Sequence, residues 1–389
     1  MRSLIYSPNG VSLEEFDVRR SEARPKELQD PKYTKKYDYK TLFFDAYWVR
    51  PGTILIQGPP FLNLYTAISG VQVKALPSQS SCRFRVWEGE RHSRIWVNAP
   101  EGTTTLSIEA DWGTHTVLVR DNQSHLFADK RVLFTQSKNN DLVWLCDWVR
   151  YHRDVHGANA VILYDNASTD YSPNDIIQAL GQLDGLDVVV AVAWNFPYGA
   201  QGGGGSFWDS DFSQSGVLEH ARWMFLQQAR SALSCDIDEL VVTSNGVSIF
   251  EATEQSWTKT IRFRGAWMPS LSHLEYPIQQ GETARHRDYT MYKAPQRRMK
   301  WGLLPRYEHR CASKWCVVPS QCPTYAQWVV HRIKRWPLAY PVSQTYTFRH
   351  FKAINTHWKH RRGAEDFDPN LHFEDEALLK HYNSVRWDR

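Results

Sequence analysis

The chain has 389 residues with a formal net charge of +4, and its six cysteines form no Cys-x-x-Cys pair. The small charge argues against nucleic acid as a partner, and no window approaches the roughly 20 apolar residues that a membrane span needs. The N-terminus has no apolar stretch of signal-peptide length, and unpaired cysteines are typical of a reducing compartment. We therefore expect a globular cytoplasmic protein of about two domains, and peripheral contact with the inner face of a membrane is left open.

The first third of the sequence predicts a polar arm followed by a β-rich domain. Residues 1–40 are charged and carry few apolar anchors, so we expect an irregular, loosely docked segment. Residues 41–127 alternate short apolar runs with turn residues, and the patterns within 83–97 and 103–120 are typical of β-hairpins. This spacing predicts a small sandwich-like accessory domain. The 17 tryptophans of the chain suit either a core or stacking on sugar rings, so structural support and glycan binding are both open interpretations of this domain.

From residue 128 the pattern changes to alternating strands and helices. Helix-end signals are clear, with Asp141 before the first helix, Gly157 after it and Pro173 at the start of the second. This order predicts an α/β domain over 128–345, with a mostly parallel sheet, right-handed crossovers and flanking helices. The predicted elements are a strand at 131–135, a helix from 142 to Gly157, a strand at 160–164, a helix from Pro173 to 183, a strand at 187–193, a helix at 217–229 and a strand at 233–240.

The last predicted strand carries an Asp-x-Asp pair, Asp236 and Asp238. In a strand, side chains two residues apart share a face, so the two carboxylates are expected to point the same way. Neighbouring carboxylates repel each other unless a cation lies between them or one keeps its proton. Mn²⁺ and Mg²⁺ take oxygen ligands and accept phosphate oxygens as well. The pair therefore predicts a metal that holds a diphosphate, although Asp-x-Asp is also common in surface turns.

A second polar cluster follows the predicted strand at 160–164. It contains Asp165 and Asn166, about 70 residues before the Asp-x-Asp pair. In open α/β sheets, ligands bind outside the carboxyl ends of the strands. Two polar clusters at one edge of a sheet are stronger evidence for a ligand site than either cluster alone.

Three motifs resemble those of the GT-A fold nucleotide-sugar glycosyltransferases, most closely glycosyltransferase families 92 and 2. The segment from Lys138 to Asp141 is similar to the opening of these families, and the segment from Tyr164 to Asp170 is similar to their acidic turn. The segment from Cys235 to Leu240 is similar to their Asp-x-Asp-Glu element. The resemblance covers roughly residues 131–363 and implies a Rossmann-like sheet, whereas the β-rich first third has no counterpart in it.

The resemblance also implies ligands for individual residues. The metal, Mn²⁺ or Mg²⁺, would be bound by Asp236, Asp238 and a third ligand, His331. The donor would be a UDP-sugar, best UDP-galactose or UDP-glucose. The residues expected to bind its nucleotide are Lys138, Asn140, Asp165, Asn166 and Asp236.

The C-terminal segment, residues 346–389, resembles the basic and helical tail that completes such a site. His350, Lys359 and Arg361 are expected to steady the diphosphate as it leaves. An inverting enzyme also needs a carboxylate that takes the proton of the acceptor hydroxyl. The candidates for this base are Glu239, Glu275, Glu282 and Asp288, with Trp267 and His273 on the acceptor side.

These observations predict a metal-dependent, inverting glycosyltransferase that moves a hexose to a hydroxyl of a glycan or glycolipid. One alternative is a metal-dependent sugar nucleotidyltransferase, but the segment after the first strand lacks the Gly-rich basic loop that such enzymes carry. The other alternative is a glycan-binding protein without catalysis. The acceptor rests on family analogy alone.

Overall fold

The structure is a computed structural model that describes residues 1–201, 208–271, 284–300, 304–354, 356 and 367–388. The helices are α1 (Tyr33–Lys36), α2 (Tyr65–Ser69), α3 (Leu142–His156), α4 (Pro173–Gly181), α5 (Phe212–His220), α6 (Ile249–Gln255) and α7 (Glu376–Tyr382). The strands are β1 (Arg2–Tyr6), β2 (Val11–Ser12), β3 (Thr41–Phe43), β4 (Asp45–Arg50), β5 (Thr53–Gly58), β6 (Gln72–Leu76), β7 (Ser80–Ser81), β8 (Arg83–Glu88), β9 (Ser93–Asn98), β10 (Thr105–Ala110), β11 (Gly113–Leu118), β12 (Arg131–Ser137), β13 (Ala160–Asp165), β14 (Val188–Ala193), β15 (Ser231–Ser234), β16 (Glu239–Thr243), β17 (Thr260–Met268), β18 (Met291–Lys293), β19 (Gln296–Lys300), β20 (Leu304–Glu308), β21 (Arg310–Val317), β22 (Gln327–Val329), β23 (Arg332–Lys334), β24 (Val342–Phe351) and β25 (His372–Glu374).

The chain divides into two compact units. Unit 1 contains Met1–Ile5, Phe127–Ala191 and Gln228–Arg389. Unit 2 contains Tyr6–Leu126 and Val192–Gln227. The chain therefore leaves the α/β unit after the third predicted strand and returns to it before β15, which the pattern of helices and strands does not reveal.

Unit 1 is built on a mixed sheet of order β1-β14-β13-β12-β15-β21-β17-β18-β25, and β24 joins β16 to β17. Strand β12 runs parallel to β13 and β15, as predicted. The strands beyond β15 are largely antiparallel, since β21 pairs in that sense with both β15 and β17. The α/β class is confirmed, but the sheet is mixed rather than mostly parallel. The reason is that parallel neighbours need long crossovers, and the described chain between β17 and β21 supplies no helical crossover of that kind.

The predicted helix ends of unit 1 are confirmed by local contacts. The Asp141 side chain accepts a hydrogen bond from the amide of Val143, and Gly157 ends α3 in the left-handed conformation at φ 75°. Helix α4 starts at Pro173 behind a capping box formed by Ser172 and Asp175. Both helices pack apolar side chains, such as those of Leu145 and Ile176, against the sheet core of unit 1.

The predicted strand at 233–240 is wrong. Strand β15 ends at Ser234, the chain turns, and β16 starts at Glu239 and pairs antiparallel with β24. The predicted helix at 217–229 also differs, because α5 begins at Phe212 and passes into a π-helical turn, Ala221–Phe225. Two short buried strands joined by a turn can thus look like one strand in the sequence, because the residues on both sides of the turn are apolar.

Unit 2 contains two four-stranded sheets of order β4-β5-β9-β8 and β11-β10-β6-β7. Both predicted hairpins are confirmed, as β8 pairs antiparallel with β9 and β10 with β11. The two sheets share one buried core. It contains Ile56 and Ile95 from the first sheet and Leu106 and Ile108 from the second. The β-rich accessory region is therefore sandwich-like, with apolar side chains of both sheets facing one core.

The expectation of a loosely docked N-terminal arm is wrong. Strand β1 is a member of the unit 1 sheet, next to β14. Arg20, in unit 2, is fully buried and donates hydrogen bonds to the carbonyl oxygens of Pro60, Asp38 and Thr41. A charged segment therefore becomes ordered because its guanidinium satisfies backbone acceptors that would otherwise be buried without partners.

All six cysteines are buried and free, which confirms the prediction of unpaired thiols. Among the helices that the structure describes, none combines the length and the apolar character needed to cross a membrane.

Candidate functional site

The Asp-x-Asp pair lies in a tight turn between β15 and β16. The amide of Glu239 donates to the carbonyl oxygen of Asp236 at 3.0 Å, and the amide of Asp236 donates to Glu239 Oε2 at 3.0 Å. These reciprocal hydrogen bonds close the turn. The premise that Asp236 and Asp238 share the face of a strand is therefore wrong, and their directions are set by the turn instead.

Lys314 on β21 is the cation closest to this turn. Its Nζ lies 2.7 Å from Asp236 Oδ2 and 3.2 Å from Glu239 Oε2 in an ion-paired triad. The Lys314 and Glu239 side chains are each 2% exposed, whereas that of Asp236 is 39% exposed. Burial alone would lower the pKa of Lys314, but the carboxylates of Asp236 and Glu239 outweigh it and raise that pKa. Lys314 therefore stays charged and neutralises the inner side of the turn.

Glu239 is a poor candidate for the catalytic base in this geometry. Burial raises the pKa of Glu239, with Lys314 opposing the rise and Asp236 adding to it. However, its Oε2 already contacts the amide of Asp236 and the ammonium of Lys314, and almost none of the side chain faces solvent. The contacts favour a role in fixing the turn.

His350 on β24 lies directly beside Asp238. Antiparallel pairing sets Glu239 opposite His350, and the amide of Phe351 donates to the carbonyl oxygen of Asp238 at 2.8 Å. The imidazole Nε2 is 3.0 Å from Asp238 Oδ2, and the ring stacks on Trp267 with centroids 4.3 Å apart. His350, expected to meet the diphosphate, is thus brought together with the predicted metal ligand Asp238.

The second predicted cluster lies at the carboxyl ends of β13 and β12. Asp165 pairs in register with Ser137, and the amide of Asn166 donates to the Ser137 carbonyl oxygen at 2.8 Å. The Asp165 carboxylate accepts a short hydrogen bond from the hydroxyl of Ser168. Burial raises the pKa of Asp165, against the opposing effect of this hydroxyl. Asp165 and Asn166 are both buried, so they shape the turn at this edge of the sheet.

Strand β12 joins the two clusters. It lies between β13 and β15, and Thr135 Oγ1 is 3.5 Å from Asp236 Oδ1. Asn140 Nδ2 donates to Ser137 Oγ at 2.9 Å, and the charge of Lys138 acts on Asp165, whose pKa it lowers in part. The carboxyl ends of three adjacent strands therefore carry both predicted clusters, as the argument from parallel strands requires.

Other predicted site residues lie elsewhere. His331 lies in the turn between β22 and β23, where its Nδ1 is 3.1 Å from the Ser313 carbonyl oxygen, and its role as a metal ligand stays a prediction. Asp288 Oδ2 accepts from the amide of Arg285 at 2.7 Å, while the neighbouring His286 contacts the Ile237 carbonyl oxygen at 2.8 Å. The remaining predicted positions, Glu275, Glu282, His273, Lys359 and Arg361, lie outside the described residues.

Lys314 is the functional candidate that sequence reasoning missed. The sequence does contain a signal, because this lysine directly precedes the apolar run from Trp315 to Val318. A lysine within a buried strand is rare unless it is paired, so such a position predicts an acidic partner. The sequence did not reveal which acid, since 78 residues or so separate Lys314 from Asp236.

Asp238 and His350 are the side chains of this site that could hold a cation. His350 Nε2 and Asp238 Oδ2 lie 3.0 Å apart at hydrogen-bond distance, and carboxylate and imidazole are both ligands that Mn²⁺ accepts. Within the described part of the chain, no group of three or more His, Cys, Asp or Glu side chains is arranged to hold a metal alone.

No protein-family model matches the chain, and no curated protein matches its sequence.

Proposed function

We propose that the chain is a metal-dependent glycosyltransferase of the GT-A fold that transfers a hexose from a UDP-sugar to a hydroxyl of a glycan or glycolipid. The observation that carries the proposal is the alignment of Ser137, Asp165 and the Asp236–Asp238 turn at the carboxyl ends of adjacent strands. This is the edge at which open α/β sheets bind nucleotides.

Asp238 and His350 would hold Mn²⁺ or Mg²⁺ in this proposal. The ion, when bound, would neutralise charge that develops on the leaving diphosphate. Lys314 would contribute by cancelling the charge of Glu239 and part of that of Asp236. The Asp238 carboxylate would then feel less repulsion from the neighbouring acids. His350 is held in place by the Trp267 ring, which limits its rotation.

The transfer would proceed with inversion. The acceptor oxygen forms a bond to the anomeric carbon, the bond from that carbon to the diphosphate oxygen breaks, and UDP leaves with the bonding electrons. A carboxylate takes the acceptor proton. Among the described candidates for this base, Asp288 is more exposed than Glu239. Only its Oδ2 accepts the hydrogen bond from the Arg285 amide, whereas Glu239 Oε2 is held by the Asp236 amide, so Asp288 is the better candidate.

The test is release of UDP from UDP-glucose and UDP-galactose by the purified protein with Mn²⁺. We expect slow donor hydrolysis that is lost by about a thousandfold in Asp238→Asn, in line with removal of a charge that stabilises the transition state. Asp184→Asn, an exposed carboxylate near the end of α4, is the matched control and should retain full activity.

Two results would count against the proposal. Release of pyrophosphate from UTP and a sugar phosphate, without UDP release, would indicate a nucleotidyltransferase. Full activity of Asp238→Asn would show that Asp238 binds no catalytic metal. Circular dichroism of each variant separates loss of activity from loss of fold, because Asp238 is partly exposed and its replacement opens no core cavity.

A further inference from the structure

A polar cavity of about 350 Å³ lies in unit 1 beside β17 and β24. Its walls carry three guanidinium groups together with hydroxyl and amide side chains. The residues that matter here are Arg264, Arg310, Arg349, Tyr292, Gln344 and Thr347.

The cavity is produced by irregular strand pairing on both sides of β17. Along β24, Arg262 lies opposite Val342 but Arg264 lies opposite Thr347, so β24 contains extra residues at this point. Along β21 the register shifts as well, between Arg264 and Ala266. Bulges redirect side chains and often occur beside functional sites. Two of them converge on the same stretch of β17.

Gly265 is required at the centre of this irregular stretch. A Cβ atom added there would lie 2.5 Å from the ring of Phe348, which is buried in the core of unit 1. The packing therefore admits only glycine, which lets the backbone of β17 approach β24 closely beside the cavity. The cavity is thus part of the packed architecture of the sheet.

The described residues that line the cavity include three arginines and no aspartate or glutamate. Arg349 forms an ion pair with the buried Asp375 and stacks on Tyr292. The Arg264 guanidinium has no hydrogen bond or ion pair within the described residues. Burial, and then the nearby charges of Arg264 and Arg332, lower the pKa of Arg262. Arg264 therefore brings a positive charge to the cavity wall without a paired acid among these residues, and an anion bound there would reduce its repulsion of Arg262.

The cavity is separate from the Asp238–His350 contact. Arg349 and His350 are neighbours on β24, so their side chains point to opposite faces of the strand. His350 faces Asp238 and Trp267, whereas Arg349 and Thr347 face the cavity. A ligand in the cavity would therefore not replace the donor.

We propose that this cavity binds a phosphate group, either as inorganic phosphate or as a sugar phosphate monoester. Arg264 would bind two phosphate oxygens with its planar guanidinium. Arg349, which Asp375 and Tyr292 hold in position, lies beside it in the cavity wall. The amide of Gln344 would donate a further hydrogen bond to the ligand, whereas the Thr347 hydroxyl already donates to the Arg264 carbonyl oxygen and accepts from Arg349 Nη1. The assignment does not depend on the proposed transfer activity.

The test is isothermal titration of the whole protein with inorganic phosphate, glucose 6-phosphate and glucose, in metal-free buffer. We expect saturable binding of the two phosphates and none of glucose. In Arg264→Gln the Kd should rise about tenfold, because a charge-assisted bidentate contact is lost. Gln344→Glu, at an exposed position, should weaken binding through charge repulsion without disturbing the fold.

Arg287→Gln is the matched control, since it removes an exposed arginine of unit 1 that does not line the cavity. Its Kd should equal that of the wild type. Equal affinity for inorganic phosphate and glucose 6-phosphate would identify the phosphate group as the recognised unit, and tighter binding of glucose 6-phosphate would identify a sugar phosphate. Absence of saturable phosphate binding, or a Kd unchanged in both Arg264→Gln and Gln344→Glu, would overturn the proposal.

Discussion

Each unit of the protein contains a dense cluster of charged side chains, and the two clusters differ in their access to water. In unit 2, Glu219 Oε2 lies 2.5 Å from Arg94 and accepts from the Trp223 ring nitrogen at 3.1 Å, with the carboxylate fully buried. In unit 1, the Asp236 and Asp238 side chains are 39% and 17% exposed. The comparison separates a charge network that is fully buried from one that keeps a side exposed to water.

The unit 2 network is buried, and its carboxylates have several partners. Arg94 lies over the Trp87 ring, and His220 and Tyr6 both contact the carboxylate of the buried Asp45. Buried hydrogen-bonded networks of this kind help to specify one arrangement of the core. In unit 1, by contrast, Lys314 neutralises only the buried side of the turn, which leaves the carboxylate of Asp238 beside His350 for other partners.

The largest expected effect is in unit 2. Glu219→Gln should lower the free energy of unfolding by about 3–5 kcal/mol, because it leaves the buried guanidinium of Arg94 without its counter-charge. Urea unfolding followed by tryptophan fluorescence measures the loss. Glu109→Gln, which breaks the exposed ion pair with Lys74, is the control and should cost less than about 1 kcal/mol. Similar losses in both variants would remove the distinction between buried and exposed pairs.

The next effect concerns pH and the histidines beneath β16. Burial lowers the pKa of His156 to about 4, against the opposing effect of its 2.8 Å hydrogen bond with the Val241 carbonyl oxygen. The unfolded chain binds the proton near pH 6.5, so it holds more protons than the folded chain between these values. The stabilising contribution is therefore complete above pH 6.5 and is lost as the pH falls towards 4.

For His156 this loss amounts to about 3 kcal/mol between pH 7 and pH 4. Urea unfolding at a series of pH values measures it, and His156→Gln should show a correspondingly shallower decline although it is less stable at pH 7. A variant with the same slope as the wild type would show that other groups govern acid unfolding. His156 lies in unit 1, but like the charged network of unit 2 it is buried and its contacts stabilise the fold.

The smallest expected effect is at Lys314. Lys314→Met should cost about 1–3 kcal/mol, less than Glu219→Gln, because water reaches Asp236 and Glu239 can keep its proton. Thermal and urea unfolding measure it, with Lys130→Met, which breaks a more exposed pair with Asp187, as the control. A loss as large as that of Glu219→Gln would mean that the unit 1 cluster is as closed as that of unit 2.

The candidate site was predictable from sequence to the extent that local pattern carried it. The positions of Asp165, Asn166, Asp236 and Asp238 after buried runs predicted one edge of a sheet, and the structure brings them to the ends of β13 and β15, the two strands on either side of β12. Their surroundings were not predictable. The imidazole beside Asp238 belongs to a strand more than 100 residues later, and the predicted continuous strand at this point is in fact a turn.

The sequence by itself determined the elements whose ends are fixed by short-range contacts. The ends of two helices are fixed by caps and backbone conformation at Asp141, Gly157 and Pro173. The alternation within 83–97 specifies a hairpin. These signals are readable because they act within a few residues. Only the tertiary structure decided which charges meet, how the sheet mixes its directions and where the cavity beside β17 opens. Those outcomes depend on strand pairings between distant segments, which are chosen by burial and packing of the whole unit and leave no local pattern in the chain.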